Sequence, residues 1–170
     1  MNKLKILTFP DPRLRKKASP ITVFDENLKN FAKDMLFTMY ESNGIGLAAT
    51  QVDFHKRLIV IDVSDEQNDP YFLVNPTFEV LDDTIEHFKE GCLSVPSFFE
   101  DIYRPKKIEL TFQDLEGKQH IEIAEGVLSV CVQHEIDHLE GKLMVDYLSP
   151  LKRDRIKNKL QRKKDDSPKN

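Results

Sequence analysis

No stretch of this sequence approaches the roughly 20 consecutive apolar residues that a membrane helix needs, so nothing in it calls for a membrane. A secretory signal core is missing as well. The apolar run at residues 6–9 is interrupted by Thr8 and closed by Pro10, and the chain is therefore expected in the cytoplasm. There are two cysteines, Cys92 and Cys131, where a small secreted scaffold would normally carry more, so both are expected as free thiols. Internal repeats are absent. Glutamate also disappears after Glu140, an absence that matters for the chemistry below.

What is present suits a soluble globular chain: 39% hydrophobic and 32% charged residues over a length of 170, enough for one domain and too short for two ordinary ones. A single domain over residues 1–164 is expected, with 165–170 a disordered tail. The net charge of -4 hides an asymmetry. Residues 151–170 hold nine Lys/Arg and three Asp, a balance of +6 on an otherwise acidic chain, which points to an anionic partner or to a solvated terminal helix.

Periodicity predicts a helix capped by Asp25, with Leu28, Phe31, Ala32, Met35, Leu36 and Met39 at helical spacing, stopped by Ser42-Asn43-Gly44. Strands are predicted at 57–63, 71–74 (ended by Asn75-Pro76), 77–81, 107–112 and about 120–123, the last two joined by a hairpin loop at 114–117. A second helix is predicted from about Gly126 to Leu139, stopped by Gly141. A third starts at Ser149-Pro150 and frays after Gln161. Strands grouped between helices without βαβ alternation give an α+β class: antiparallel or mixed sheets around a central helix, with a C-terminal helix.

The sharpest chemical signal is His134-Glu135-Ile136-Asp137-His138. Four residues is just over one helical turn, so both imidazoles project from one face and can share a divalent ion. Glu135 then sits where its carboxylate can take a proton from an activated water. A catalytic ion usually has three protein ligands. In one protease class a third His lies six residues beyond the second, but here that residue is Met144. In another it is a downstream Glu, and none follows Glu140. The third ligand must lie upstream. Cys92, in Glu90-Gly91-Cys92-Leu93-Ser94, is the best candidate because a thiolate binds such ions well. His55, His87 and His120 are alternatives. Cys131 shares the helix side of His134 and can face either the site or the core. A third stretch, Gly44-Ile45-Gly46-Leu47-Ala48-Ala49-Thr50-Gln51, has small residues that permit close approach and a Gln51 amide able to donate to a developing oxyanion.

Taken together, residues 44–51, 90–94 and 133–138 resemble the peptide deformylases closely. That family carries the same three segments in the same order, and the likeness runs from the Pro10-Asp11-Pro12-Arg13-Leu14-Arg15 opening to Asp146-Tyr147-Leu148-Ser149-Pro150. The resemblance implies removal of the N-formyl group from the formylmethionine of new polypeptides, with release of formate. It makes Cys92, His134 and His138 the metal ligands and Glu135 the general base and then acid. The Gln51 side chain and the Leu93 backbone N–H become oxyanion donors. The implied ion is Fe2+, with Zn2+, Ni2+ or Co2+ possible. A methionine pocket would include Ile45, Phe88, Val127 and Cys131, with Gly46 and Ile45 offering backbone bonds to the peptide. Glu90 and Arg104 match a pair that braces the Cys92 loop. The C-terminal helix resembles that of a bacterial subclass in which it docks near the ribosomal exit tunnel, and its +6 balance suits rRNA phosphate. A monomer is expected. Two features depart from the family pattern: Phe88 stands where a smaller aliphatic is common, and the Ser97-Phe98-Phe99-Glu100-Asp101 loop is more aromatic and acidic than in many relatives. The rival expectation is a metallopeptidase of the His-Glu-x-x-His type.

Overall fold

The computed structural model describes residues 1–168. Of the tail expected at 165–170, residues 169 and 170 lie outside the described residues. Helix α1 spans Glu26–Glu41, and the Asp25 carboxylate accepts from Leu28 N at its start. Leu28, Ala32, Met35 and Met39 line its buried face. The helix stops as expected, with Asn43 taking the left-handed conformation at φ 56°.

The described strands form one antiparallel sheet in the order β1-β2-β3-β4-β5. They are β1 (Gly46–Ala48), β2 (Leu58–Ile61), β3 (Tyr71–Cys92), β4 (Val95–Gln113) and β5 (Gln119–Glu125). Helix α2 (Gly126–Leu139) packs on the sheet, and Ile59, Ile61, Leu73, Ile108 and Leu110 meet Val132, Ile136 and Leu139 in the core between them. Every residue from Ser129 to Ile136 is buried, as a helix enclosed on all sides requires. Helix α1 packs with β1 and β2 through Met35, Met39, Leu47, Leu58 and Val60.

Two sequence expectations need correction. The strands predicted at 71–74 and 77–81 are one strand, because the register slips between Val74 and Thr77 and the chain passes Asn75-Pro76 as a bulge, with Asn75 at φ 50°. That strand runs on to Cys92, and its partner begins at Val95 rather than near 107. The extension is mostly exposed and charged, so no alternating pattern announces it. Residues 46–48, for which the sequence predicts no element, form a short edge strand.

The β3–β4 hairpin therefore brings its tip to α2. Register shifts around Asp82 and Ile85 break its ladder midway, and the two-residue turn Leu93-Ser94 joins the strands beside α2. Helix α3 (Pro150–Asp165) starts with Ser149 Oγ accepting from Lys152 N and Pro150 in the first turn. It continues past Gln161 to Asp165, because Lys and Arg favour helix and suit its C-terminal end. Ile156 and Leu160 anchor it against Leu7, Phe9, Leu14, Val95 and residues 143–145.

Candidate metal centre

The two histidines of α2 lie one turn apart, with ring centroids 5.0 Å from each other and planes at 64°. The hairpin tip supplies the third group, with Cys92 Sγ 3.3 Å from His138 Nε2. One donor atom from each of Cys92, His134 and His138 lies within 4.8 Å of the others. The other histidines are engaged elsewhere. His55 meets Asp53, His120 meets Asp114 and stacks on Phe112, and His87 lies beside Tyr103.

This set fits a divalent ion on its own hydrogen bonding. His134 Nδ1 lies 2.8 Å from Glu90 Oε1, an acceptor, so a neutral ring holding an ion would keep its proton on Nδ1 and turn Nε2 to the cluster. Glu90 is itself gripped by Arg104, through Nε at 2.6 Å and Nη2 at 3.0 Å. Asp137 Oδ2 accepts from Arg104 Nη1 at 3.0 Å and from Tyr147 OH at 2.7 Å. The outward-facing residues of the motif thus support the inward-facing ones. Glu90 is nearly buried, and burial opposes its charge. The His134 and Arg104 hydrogen bonds outweigh that cost and hold its carboxyl below the ordinary value. Burial likewise pushes His138 well below the usual imidazole range, towards the neutral form that can ligate a metal.

Glu135 is 3% exposed, and its Oε2 has no hydrogen-bond partner among the described residues. Burial pushes its carboxyl up to about 7, near where a group that both accepts and returns a proton works best. Its Oε1 is 3.8 Å from His134 Nε2, so the carboxylate overlooks the donor cluster. Gln51 sits at the end of a single 3-10 turn after β1. Its Oε1 accepts from Ala48 N at 2.9 Å, and this fixes the amide with its NH2 group towards the site. Nε2 donates to Ser94 Oγ at 3.0 Å and lies 3.7 Å from Cys92 Sγ. Leu93 follows Cys92 in the hairpin turn, placing its backbone beside the same cluster.

A cleft of about 620 Å³ opens over these groups, lined by Ile45, Gly46, Phe88, Cys92, Leu93, Val127, Cys131, His134 and Glu135 among others. All five expected pocket residues border it. Ile45 and Val127 are about half exposed and form its mouth, while Cys131 lies deeper at 6% exposure. Burial raises the Cys131 thiol well above its ordinary value, so it is a neutral wall group. Sequence reasoning missed Ser94 as the anchor of Gln51, the contact of Glu90 with His134, and the Asp137–Tyr147 support. Each depends on two segments meeting in space. Only the presence of Ser94 and Glu90 inside the Cys92 motif hinted at it.

A Cys-His-His donor set of two buried histidines and a half-buried cysteine, with an adjoining carboxylate and an amide donor on an α+β frame, defines a metal-dependent hydrolase. A family model described as polypeptide deformylase matches residues 3–154, and the chain belongs to that family. It is 55% identical over 159 residues to a peptide deformylase of Stutzerimonas stutzeri (94% of this chain, 95% of the relative) and 53% identical to one of Pseudomonas aeruginosa over the same shares. Among solved structures it is similar to a peptide deformylase from Legionella pneumophila, with 43% identity, a TM-score of 0.89, and coverage of 98% of this chain and 99% of that one. It is also similar to the Ehrlichia chaffeensis enzyme in complex with actinonin, with 39% identity, a TM-score of 0.90 and coverage of 96% and 98%. These matches favour the deformylase reading over the metallopeptidase. The family match ends inside α3, so most of the basic helix lies beyond it.

Proposed function

We propose that Cys92, His134 and His138 hold one divalent ion and that Glu135, Gln51 and Leu93 use it to hydrolyse the formyl amide of N-formylmethionyl peptides. The chain is a deformylase by family, and its substrate is the N-formyl group of newly made polypeptides. The observation that carries the residue roles is the meeting of the hairpin-tip thiol with the helix imidazole at 3.3 Å, next to a buried carboxylate with a free oxygen.

When bound, the ion supplies Lewis acidity that polarises the formyl oxygen and acidifies water at neutral pH. Glu135 accepts the proton of the attacking water. As the carbonyl carbon becomes tetrahedral, negative charge gathers on the formyl oxygen, and the Gln51 amide and the Leu93 N–H donate to it. Glu135 then returns its proton to the departing amine, the C–N bond breaks, and formate and a free methionyl N-terminus leave. Methionine's apolar side chain suits the Phe88, Val127 and Cys131 walls, and Gly46 and Ile45 offer main-chain groups along the peptide.

Thiolate and imidazole ligands suit Fe2+, Zn2+, Ni2+ and Co2+ alike, and the resemblance to the family favours Fe2+. Protein purified without oxygen is expected to contain one divalent ion per chain and to release formate from formyl-Met-Ala-Ser. It should leave the unformylated peptide intact. Glu135→Ala should keep the ion and lose about 100-fold or more in kcat. Internal peptide cleavage, or full activity of the metal-loaded variant, would reject these roles.

The exposed basic face of α3 supports docking on ribosomal RNA, which places the enzyme where its substrate emerges, in the cytoplasm. Truncation after Pro150 should lower ribosome co-sedimentation at low salt. Equal sedimentation of both forms would remove this part of the reading.

A further inference from the structure

The chain ahead of Pro10 forms no helix or strand, yet its N–H groups are committed to distant parts of the fold. Asn2 N donates to Asp34 Oδ1 at 2.8 Å and Leu4 N to Thr38 Oγ1 at 2.9 Å, which moors the start of the chain on α1. Further on, Leu7 N donates to Gln51 O at 2.7 Å, and Phe9 N donates to Ser94 O at 2.8 Å. Both acceptors belong to the segments that carry the oxyanion donors, Gln51 itself and the Leu93-Ser94 turn.

Those two segments need a brace from outside. Gln51 sits in a single 3-10 turn, an element with poor hydrogen-bond geometry, and Leu93-Ser94 is a bare hairpin turn. They come from distant parts of the chain and meet through a side-chain bond, Gln51 Nε2 to Ser94 Oγ. The N-terminal segment adds a second link through the main chain. Leu7 and Phe9 are buried and Thr8 between them is exposed, the alternation of an extended chain. Such a chain advances about 3.3 Å per residue, so the two N–H groups hold the carbonyls of Gln51 and Ser94 roughly 7 Å apart. The segment is not free to slide. Leu7 and Phe9 are packed with Leu14, Val95, Ile156 and Leu160, while Leu4 and Ile6 pack on the α1 core.

We infer that residues 7–9 are a positioning strap whose Leu7 and Phe9 N–H groups set the separation of the Gln51 and Leu93 donors. The inference rests on the donor roles given to Gln51 and Leu93 above. Neither Leu7 nor Phe9 lines the cleft, so they act through the segments they hold. Charge on the formyl oxygen develops only towards the tetrahedral state, and the strap should therefore act on kcat more than on KM.

The test replaces one backbone amide at a time by an ester, which removes the N–H and keeps the side chain. Positions 7 and 9 are compared with position 5, since Lys5 is exposed and its N–H meets no acceptor among the described residues. One hydrogen bond is a small part of the stability of a chain of this size, so each ester should fold. With metal loaded and formyl-Met-Ala-Ser as substrate, the esters at 7 and 9 should each lower kcat by roughly five- to twentyfold, with KM within about twofold and metal content unchanged. The ester at 5 should match wild type. In a Gln51→Ala background the ester at 7 should cost about twofold or less, because the donor it positions is gone. Equal losses in the two backgrounds would make the segment a general prop and overturn the inference. So would an unchanged kcat in both esters, or loss of the ion from either, which would mean that the segment serves the ligands. A Gln51→Ala enzyme with wild-type kcat would overturn the donor reading and this inference with it, whereas the ester results alone leave that reading standing.

Discussion

Gly46 and Glu135 stand so close that a Cβ at position 46 would lie 2.8 Å from Glu135 Oε1 and 2.7 Å from Cys131 Sγ. Both obstacles are buried side chains on a packed helix, with little room to give. The missing side chain of one strand residue thus sets the space around the Glu135 carboxylate. Gly46→Ala should keep its metal, because the nearest atoms an added Cβ would meet belong to Cys131 and Glu135 and not to Cys92, His134 or His138, and should lose at least about tenfold in kcat/KM, as misplaced catalytic groups do. Metal analysis beside formate release checks both halves.

Ser94 contributes through Gln51. Without its hydroxyl, Gln51 Nε2 loses the 3.0 Å bond that fixes one amide hydrogen, and the amide keeps only Ala48 N and the long 3.7 Å contact with Cys92 Sγ. Losing an oxyanion donor outright costs about 100- to 1,000-fold, so loosening it should cost less. Ser94→Ala is expected to lower kcat by roughly tenfold with KM little changed, and Ser94→Thr should recover part of the loss. An unchanged kcat would show that Ala48 suffices.

Glu90 fixes which nitrogen of His134 faces the donor cluster. Replacing it with glutamine leaves a neutral amide oxygen in place of a carboxylate beside Arg104, which is 3% exposed and loses its buried ionic partner. Outer partners of this sort typically account for about 10- to 100-fold in metal affinity, and competition against a chelator should show Glu90→Gln weakened by that amount. The variant should also be less stable, because Arg104 would remain buried beside only Asp137.

Acid should act through Asp62 as well as through the site. Burial opposes charge on this carboxylate, but hydrogen bonds from Ser64 Oγ, Tyr40 OH, Ser64 N and Asp69 N hold it below its ordinary 3.8. A depressed value means the charged form stabilises the fold above the unfolded-state value and loses that contribution as pH falls through the folded-state one. Asp62→Asn should therefore be less stable than wild type by about 1–3 kcal/mol at pH 7. The gap should narrow below pH 3.8. Urea unfolding at pH 7 and pH 3 reads both, and an equal gap at the two values would show that the charge is immaterial.

The donor residues were legible because a helix converts a spacing of four into a shared face, so His134 and His138 announced each other. Cys92 emerged from the missing downstream ligands and from its motif. Helix α1 was equally legible, since Asp25 and the apolar spacing after it act within one segment. The arm that carries Cys92 was not. Residues 82–89 are almost all exposed and polar, and a strand with both sides in water shows no alternation. Asn75-Pro76 looked like an end because proline normally breaks a ladder, yet here it sits at a bulge. Ser94 illustrates a further limit: its role follows from the approach of a residue 43 positions away, and no local pattern encodes that.

The long hairpin has a mechanical meaning. Its distal half ends in Cys92, whose sulfur meets His138, and along the way it carries Phe88 on the cleft wall and Phe99 on the cleft rim. The slips in register around Asp82 and Ile85 act as the elbow of this arm. One arm thus carries both the third group of the donor cluster and part of the cleft wall, so the arm cannot shift without moving both.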